Sequence, residues 1–259
     1  MDTDKEKYIE DMVSVIMPAY NSEGYIAAAV KSVLEQTFTN LELIICDDAS
    51  KDGTLKTAKS AATGDSRVII IENKSNSGVA ETRNNAMRNA SGRYIAFLDS
   101  DDIWKQDKLE KQLNFMKKSG CALCYASYEL INENGEPLKK GPAVIRNTAD
   151  YKSLLKNNFI GMLTVLVDRS ITGDMVFSRN RHEDLIMWLV LAKKGLLMRG
   201  INQSVALYRV SGNSLSGNKL KAAAWRWRVY RESEKLNLPK SIWYMLSYIV
   251  NSILKRITT

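Results

Sequence analysis

One histidine, three cysteines and four prolines in 259 residues leave little room for several kinds of chemistry. With His182 alone and a single Cys-x-x-Cys pair, zinc sites of the usual Cys/His kinds are excluded. An odd number of cysteines in a long chain makes no disulfide framework and fits a reducing compartment. Cys121 and Cys124 lie in the apolar stretch GCALCYASYEL, which reads as a strand whose i and i+3 side chains point to opposite faces, so neither a metal nor a redox role is expected of them. Fourteen glycines do not make a collagen-like or low-complexity chain. No apolar run approaches the roughly 18 residues that suggest a spanning helix. The opening MDTDKEKYIEDM is charged and lacks an apolar core, so it is not a secretory signal, and a cytoplasmic location is expected.

What is present is an ordinary globular composition, 45% apolar and 25% charged, enough to bury one large core. The net charge of +8 is unevenly placed: residues 221–259 carry +6 and the first 220 only +2. Basic character confined to a tail argues against nucleic acid as a partner and for a local anionic one, with an anionic membrane surface the leading candidate.

The first hundred residues alternate short β-branched runs with helical patterns, the mark of βαβ units on a parallel sheet buried on both faces. Strands are predicted at 13–18 (VSVIMP), 41–46 (LELIIC), 67–72 (RVIIIE), 93–99 (RYIAFLD) and 121–131, the last closed by an Asn134-Gly135 turn. Helices are predicted at 24–36, 54–62, 79–90, 105–118 and 183–195 from apolar spacing and end signals. The stretch 140–180 shows no clear period, and a strand is expected around Val205–Tyr208. The whole reads as a Rossmann-like α/β domain over 1–220, with a mostly parallel central sheet flanked by helices, followed by a basic amphipathic helical appendage over 221–259. Within that appendage, Ile242 to Leu254 is apolar and aromatic, bracketed by Lys240 and Lys255-Arg256. It is too short to span a bilayer but suited to lie in its interface, with Trp243, Tyr244 and Tyr248 at headgroup level. A terminal helix packed on the domain, or a homodimer contact, is the alternative.

In open α/β sheets ligands collect at the carboxyl ends of the strands. Three such ends carry distinctive residues: Pro18-Ala19-Tyr20-Asn21, Asp47-Asp48-Ala49-Ser50 and Asp99-Ser100-Asp101-Asp102. A rim this acidic repels a phosphate unless a divalent cation stands between them, which implies Mg2+ or Mn2+ held by carboxylate and phosphate oxygens. The Asp99-x-Asp101 spacing puts two carboxylates on one side of extended chain, about 7 Å apart at the backbone. Taken alone, that spacing equally describes an acidic turn capping the next helix; its place after an apolar strand, matched by the pair at 47–48, turns the reading toward a metal site.

Four ordered blocks, VSVIMPAYN, ICDDAS, NSGVAETRNN and FLDSDD, resemble the nucleotide-sugar half of the family 2 glycosyltransferases, which have the GT-A fold. The resemblance is close over 12–115 and looser to about 220, and it implies an acceptor half over 116–220. It further implies that Pro18 and Tyr20 line the base pocket, that Asp48 and Arg83 reach the base, and that Asp99, with Ser100 beside it, binds ribose or sugar. Asp101, with Asp99, would hold the metal. In this family a Glu-Asp pair opens a helix in the acceptor half; the match is Glu183-Asp184, after His182, with Asp184 as base and Glu183 as its support. Negative side chains also suit a helix start for electrostatic reasons alone. Ser211 stands where many relatives carry a histidine, so Arg209 and Lys219 are the candidates to neutralise the diphosphate.

The expected activity is transfer of a sugar, with inversion, from a UDP-sugar to a glycan or lipid-linked glycan acceptor in cell-surface polysaccharide synthesis, by an enzyme peripheral on the inner face of the cell membrane. Two rivals are a nucleotide-sugar-binding protein without turnover and a nucleotidyltransferase. The latter usually needs a glycine- and lysine-rich phosphate loop near the first strand, and PAYNSEG offers one glycine and no lysine.

Overall fold

The computed structural model describes residues 7–138, 141–143, 145–180, 182–210 and 219–258, with the side chains at 219, 220 and 253–258 outside that description. β1 (Ile9–Ala19) lies between β2 (Leu41–Asp47) and β4 (Gly92–Phe97), parallel to both, and β3 (Val68–Glu72) continues the parallel set beyond β2. Strict alternation along these strands sends Val13, Val15 and Met17 to one face and Ile16 to the other. Val15, Ile16, Leu43 and Ile44 are completely buried, so each contributes about 1.5–3 kcal/mol of apolar transfer.

One face is covered by α1 (Ile26–Leu34), α2 (Thr54–Ala61) and α4 (Lys108–Ser119), through residues such as Val30, Ala58 and Leu113. The other carries α3 (Val79–Arg88), α5 (Tyr151–Lys156) and α7 (Glu183–Lys193), through Met87, Leu154 and Trp188. That α3 and α7 share a face decides the layout of the site described below.

Past β4 the sheet is not the parallel continuation that the sequence suggests. β8 (Leu166–Asp168), which leads into the four-residue α6 (Arg169–Thr172), enters antiparallel between β4 and β6 (Leu123–Ile131), β6 runs parallel to β9 (Met198–Arg209), and the two-residue strands β5 (Ile103–Trp104) and β7 (Thr148–Ala149) pair antiparallel with β9. Strands of two or three residues are too short to display a period, which is why the 140–180 stretch gives no pattern. Cys121 and Cys124 also depart from expectation: Cys121 lies before β6 begins, and both thiols are free and buried in the same core cluster.

The C-terminal segment docks on the α5–α7 layer. α8 (Lys219–Arg228) passes through a π-helical turn at Val229–Ser233 to α9 (Leu238–Thr258). Arg226 is buried, with its Nη1 donating to the Leu154 carbonyl at 3.4 Å and its guanidinium over the Tyr248 ring. Tyr230 donates to the Leu155 carbonyl, and Glu234 accepts from Tyr151 and Lys193. α9 packs Tyr244 and Met245 inward and leaves Ile242, Trp243, Leu246, Ile249 and Val250 facing outward. No described helix is long and apolar enough to cross a membrane.

Lys108, at the start of α4, is fully buried, and among the described residues its Nζ has no hydrogen-bond partner; the ammonium sits 4.0 Å from the Trp104 ring centroid. Burial pushes its pKa down to about 7. Between there and the ordinary lysine value the unfolded chain binds more protons, so stability rises with pH across that window and the penalty is full below it. Lys108→Met is therefore expected to stabilise the protein by on the order of 3 kcal/mol at pH 6, with the gain shrinking toward pH 10 in denaturant titrations.

Candidate active site

The rim begins where β1 and β2 end. Asp47 turns the chain by accepting from the backbone N–H and hydroxyl of Ser50, Ser50 accepts from the Asn21 N–H, and Asn21 accepts from the Lys51 N–H, so the two loops are laced together. Both carry a non-glycine residue in the left-handed region, Asn21 at φ 48° and Ala49 at φ 57°. Such strain collects at functional sites. Pro18 is buried, while the Tyr20 ring is 47% exposed at the rim.

The turn at Ala49 follows Asp48, whose carboxylate is directed at the start of α3. Its Oδ1 accepts from Asn73 Nδ2 (2.8 Å) and from the N–H and hydroxyl of Ser77; its Oδ2 accepts from the Gly78 N–H (2.9 Å). Gly78, at φ 83°, takes a conformation natural to glycine in order to present that N–H. Burial alone would raise the Asp48 pKa, but these bonds outweigh it and hold the carboxyl below its ordinary range.

Three carboxylates follow β4 within four residues. Asp99 is one-third exposed and pairs with Arg83; Ser100 is buried; Asp101 is driven upward in pKa by burial and by the charge of Asp99. Asp102, almost fully buried, is raised well above its ordinary value by burial and by both neighbours, and accepts from the Arg209 N–H at 2.8 Å. Arg209 was a candidate for the diphosphate. It is buried instead, its Nε donating to the Asp101 carbonyl and its Nη1 to the carbonyls of Asn132 and Glu133, and so supports the turn from behind. Ser211 lies outside the described residues, as does the side chain of Lys219.

The Glu183-Asp184 pair meets this cluster. His182 caps α7 in the left-handed region at φ 63°; its Nε2 lies 3.3 Å from the Ala222 carbonyl and its ring stands edge-on to Trp225, while burial, then the charge of Arg226, lowers its pKa. This is a structural role. Asp184 Oδ2 accepts from Asn158 Nδ2 at 2.7 Å. Glu183 Oε1 accepts from Arg83 Nη1 at 2.9 Å, and the other terminal nitrogen of Arg83 donates to Asp99 Oδ1 at 2.6 Å. Arg83, expected to reach the base, thus has both arms on carboxylates. Burial raises the Glu183 pKa, Arg83 opposes that, and Asp184 and Asp99 add to it.

A family-wide sequence description, Glycosyl transferase family 2, matches residues 14–172. The chain belongs to glycosyl transferase family 2. Among its relatives, TuaG of Bacillus subtilis (strain 168), whose name assigns it provisionally to teichuronic acid biosynthesis, is 44% identical over 95% of this chain and 98% of its own length. WfgD of Escherichia coli, named UDP-Glc:alpha-D-GlcNAc-diphosphoundecaprenol beta-1,3-glucosyltransferase, is 41% identical over 94% of each chain. The mannosyltransferase PcManGT from Pyrobaculum calidifontis, solved with GDP-Man and Mn2+, shares the GT-A fold at a TM-score of 0.67 and 16% identity, covering 95% of this chain and 75% of that one. This family 2 protein is accordingly a glycosyltransferase with a mixed α/β GT-A fold.

The donor set of the D-x-D turn fits a hard divalent cation. Asp101 is raised by burial and by Asp99, a crowding of like charges that a cation relieves. Among the described residues no third carboxylate, histidine or cysteine joins them in a metal-sized cluster, so the remaining ligands would be phosphate and water oxygens. A cavity of about 440 Å3 lined by Arg88, Arg169, Asp174 and Met175 takes no residue from this cluster.

Asn158, a lone asparagine in an unpatterned stretch, gives no signal in the sequence. By pinning one oxygen of Asp184 it aims the other, and its own buried Oδ1 has no partner among the described residues. Asn158→Ala is expected to lower kcat about tenfold with the donor KM little changed, measured by steady-state transfer kinetics.

Proposed function

We propose that this family 2 enzyme transfers a sugar, with inversion, from a UDP-sugar to a lipid-linked glycan in cell-surface polysaccharide synthesis, with Asp184 as base. The observation that carries the reading is that carboxylates from the ends of β2 and β4 and from the start of α7 converge on α3: Asp48 accepts from Ser77 and Gly78, the two residues that lead into it, and Arg83, inside it, donates to Asp99 and Glu183. Residues 12–115 would form the nucleotide-sugar half and 116–220 the acceptor half. The names of WfgD, with its UDP-glucose donor and diphosphoundecaprenol-linked acceptor, and of TuaG support the substrate class.

In this reading Pro18, Tyr20 and Asp48 receive the uracil, Asp99 and Ser100 the ribose or sugar, and Asp101 with the second oxygen of Asp99 a Mn2+ or Mg2+ ion. When bound, the ion offsets charge on the departing diphosphate. Glu183 is tied up by Arg83, whereas among the described residues only Asn158 bonds the Asp184 carboxylate, so Asp184 is free to take the acceptor proton. The acceptor oxygen bonds to the anomeric carbon as the bond from that carbon to the diphosphate breaks. The proton passes to Asp184, and UDP leaves. A single base, with the other rim carboxylates assigned to Arg83, the ion or the base pocket, corresponds to inversion.

Asp184→Asn is expected to lower transfer from UDP-glucose to a lipid-linked acceptor, assayed with Mn2+, by at least about a hundredfold, while UDP affinity by calorimetry stays within about threefold. Undiminished transfer would sink the assignment and favour a binding module.

The tail supports a peripheral place on an anionic membrane. Ile242, Trp243, Leu246, Ile249 and Val250 form the outward stripe of a helix bracketed by Lys240 and Lys255-Arg256. The double variant Trp243→Glu/Leu246→Glu should no longer float with vesicles containing anionic lipid, whereas the parent chain does; equal flotation of the two contradicts the membrane reading, as does a dimer that the variant dissociates in solution.

A further inference from the structure

We propose that Arg83 is a positioning residue that holds the acceptor-side carboxylates in register with the donor-side D-x-D turn, so that the two halves of the site act as one only while its guanidinium bridges them. The inference rests on the reading of Glu183-Asp184 as the acceptor-side pair. α3 carries Arg83 on the same sheet face as α7, and its two terminal nitrogens reach Asp99 and Glu183, residues from opposite halves of the chain, at 2.6 and 2.9 Å. Among the described residues this guanidinium is the only hydrogen-bonded link between the 99–102 turn and α7.

Stability does not explain the arrangement. The Arg83 side chain is 5% exposed, its Nε is buried without a partner among the described residues, and its ring neighbour is Phe177 at 5.9 Å. Burying a guanidinium with one donor unmet and two carboxylates beside it is no better for folding than an apolar cluster of the same volume. Its geometry, by contrast, is specific: a planar fork with two divergent N–H arms fixes the distance between two carboxylates, which the point charge of a lysine cannot do. Glu183 is thereby neutralised in place, and Asp184, the next residue on the first turn of α7, is placed relative to Asp99 and whatever Asp99 binds. Misplacement of reacting groups by about 1 Å costs on the order of a hundredfold in rate.

The test uses the full chain carrying Arg83→Lys, Arg83→Met and the double change Arg83→Met/Glu183→Gln, with melting temperature, UDP affinity in Mn2+ and steady-state transfer from UDP-glucose measured for each. Arg83→Lys keeps the charge and guards against misfolding. It is expected to fold, to bind UDP within about threefold of the parent, and to lose roughly a hundredfold in kcat. The double variant, which also removes the orphaned carboxylate, should recover about tenfold over Arg83→Met. Loss of UDP affinity in step with kcat would instead make Arg83 a contact to the nucleotide and overturn the proposal, as would unchanged kcat in Arg83→Lys. Asp184→Asn separates the two readings. Full transfer by that variant removes the base assignment while the split between kcat and UDP affinity at Arg83 still stands; a dead Asp184→Asn beside a fully active Arg83→Lys removes only the bridge.

Discussion

Like charges crowd one rim of this molecule, and the way each is accommodated organises everything else there. Asp48 is neutralised by donors from Asn73, Ser77 and Gly78, Asp102 is buried against the Arg209 N–H, and Glu183 and Asp99 share Arg83. Asp101 is raised by burial and by the charge of Asp99, a pressure that a cation would relieve. A rim in which some carboxylates are satisfied internally and others are left under electrostatic pressure suits an anionic substrate that arrives with its cation.

The scaffold makes that crowding tolerable by keeping the loops stiff. Asn21, Ala49 and His182 sit in left-handed conformations that cost of order 1 kcal/mol or more, and each stands beside a residue with a proposed role. The strain is sustained by bonds on either side: Ser50 to Asp47 and Asn21 near the first two, the Ala222 carbonyl and Trp225 ring near the third. Through His182 the helix α8 touches the start of α7, so a segment that reads as an appendage also bears on the Glu183-Asp184 pair.

Legibility in the sequence followed the length and regularity of each element. β1, β2 and β4 are long apolar runs whose ends carry the acidic and aromatic residues, and both the strands and the significance of their termini could be read directly. β5, β7 and β8 have two or three residues and reveal themselves only as pairings. Candidate residue types were readable from motif spacing, but partners were not. Arg83 reads as a helix residue near a base pocket until α7 is seen to deliver Glu183 to it, and Arg209 reads as a phosphate ligand until the Asp101 carbonyl is found on its Nε. Asn158, 26 residues from Asp184, left no trace at all.

The sequence by itself determined the α/β class, the carboxyl-end rim and the family, because alternation, helical period and motif spacing are local properties of the chain. Tertiary structure alone decided which carboxylate is neutralised, which is pinned and which is left uncommitted. Those outcomes depend on distances between residues as many as 107 positions apart, the Arg83–Glu183 contact among them set by two helices packing on the same face of one sheet.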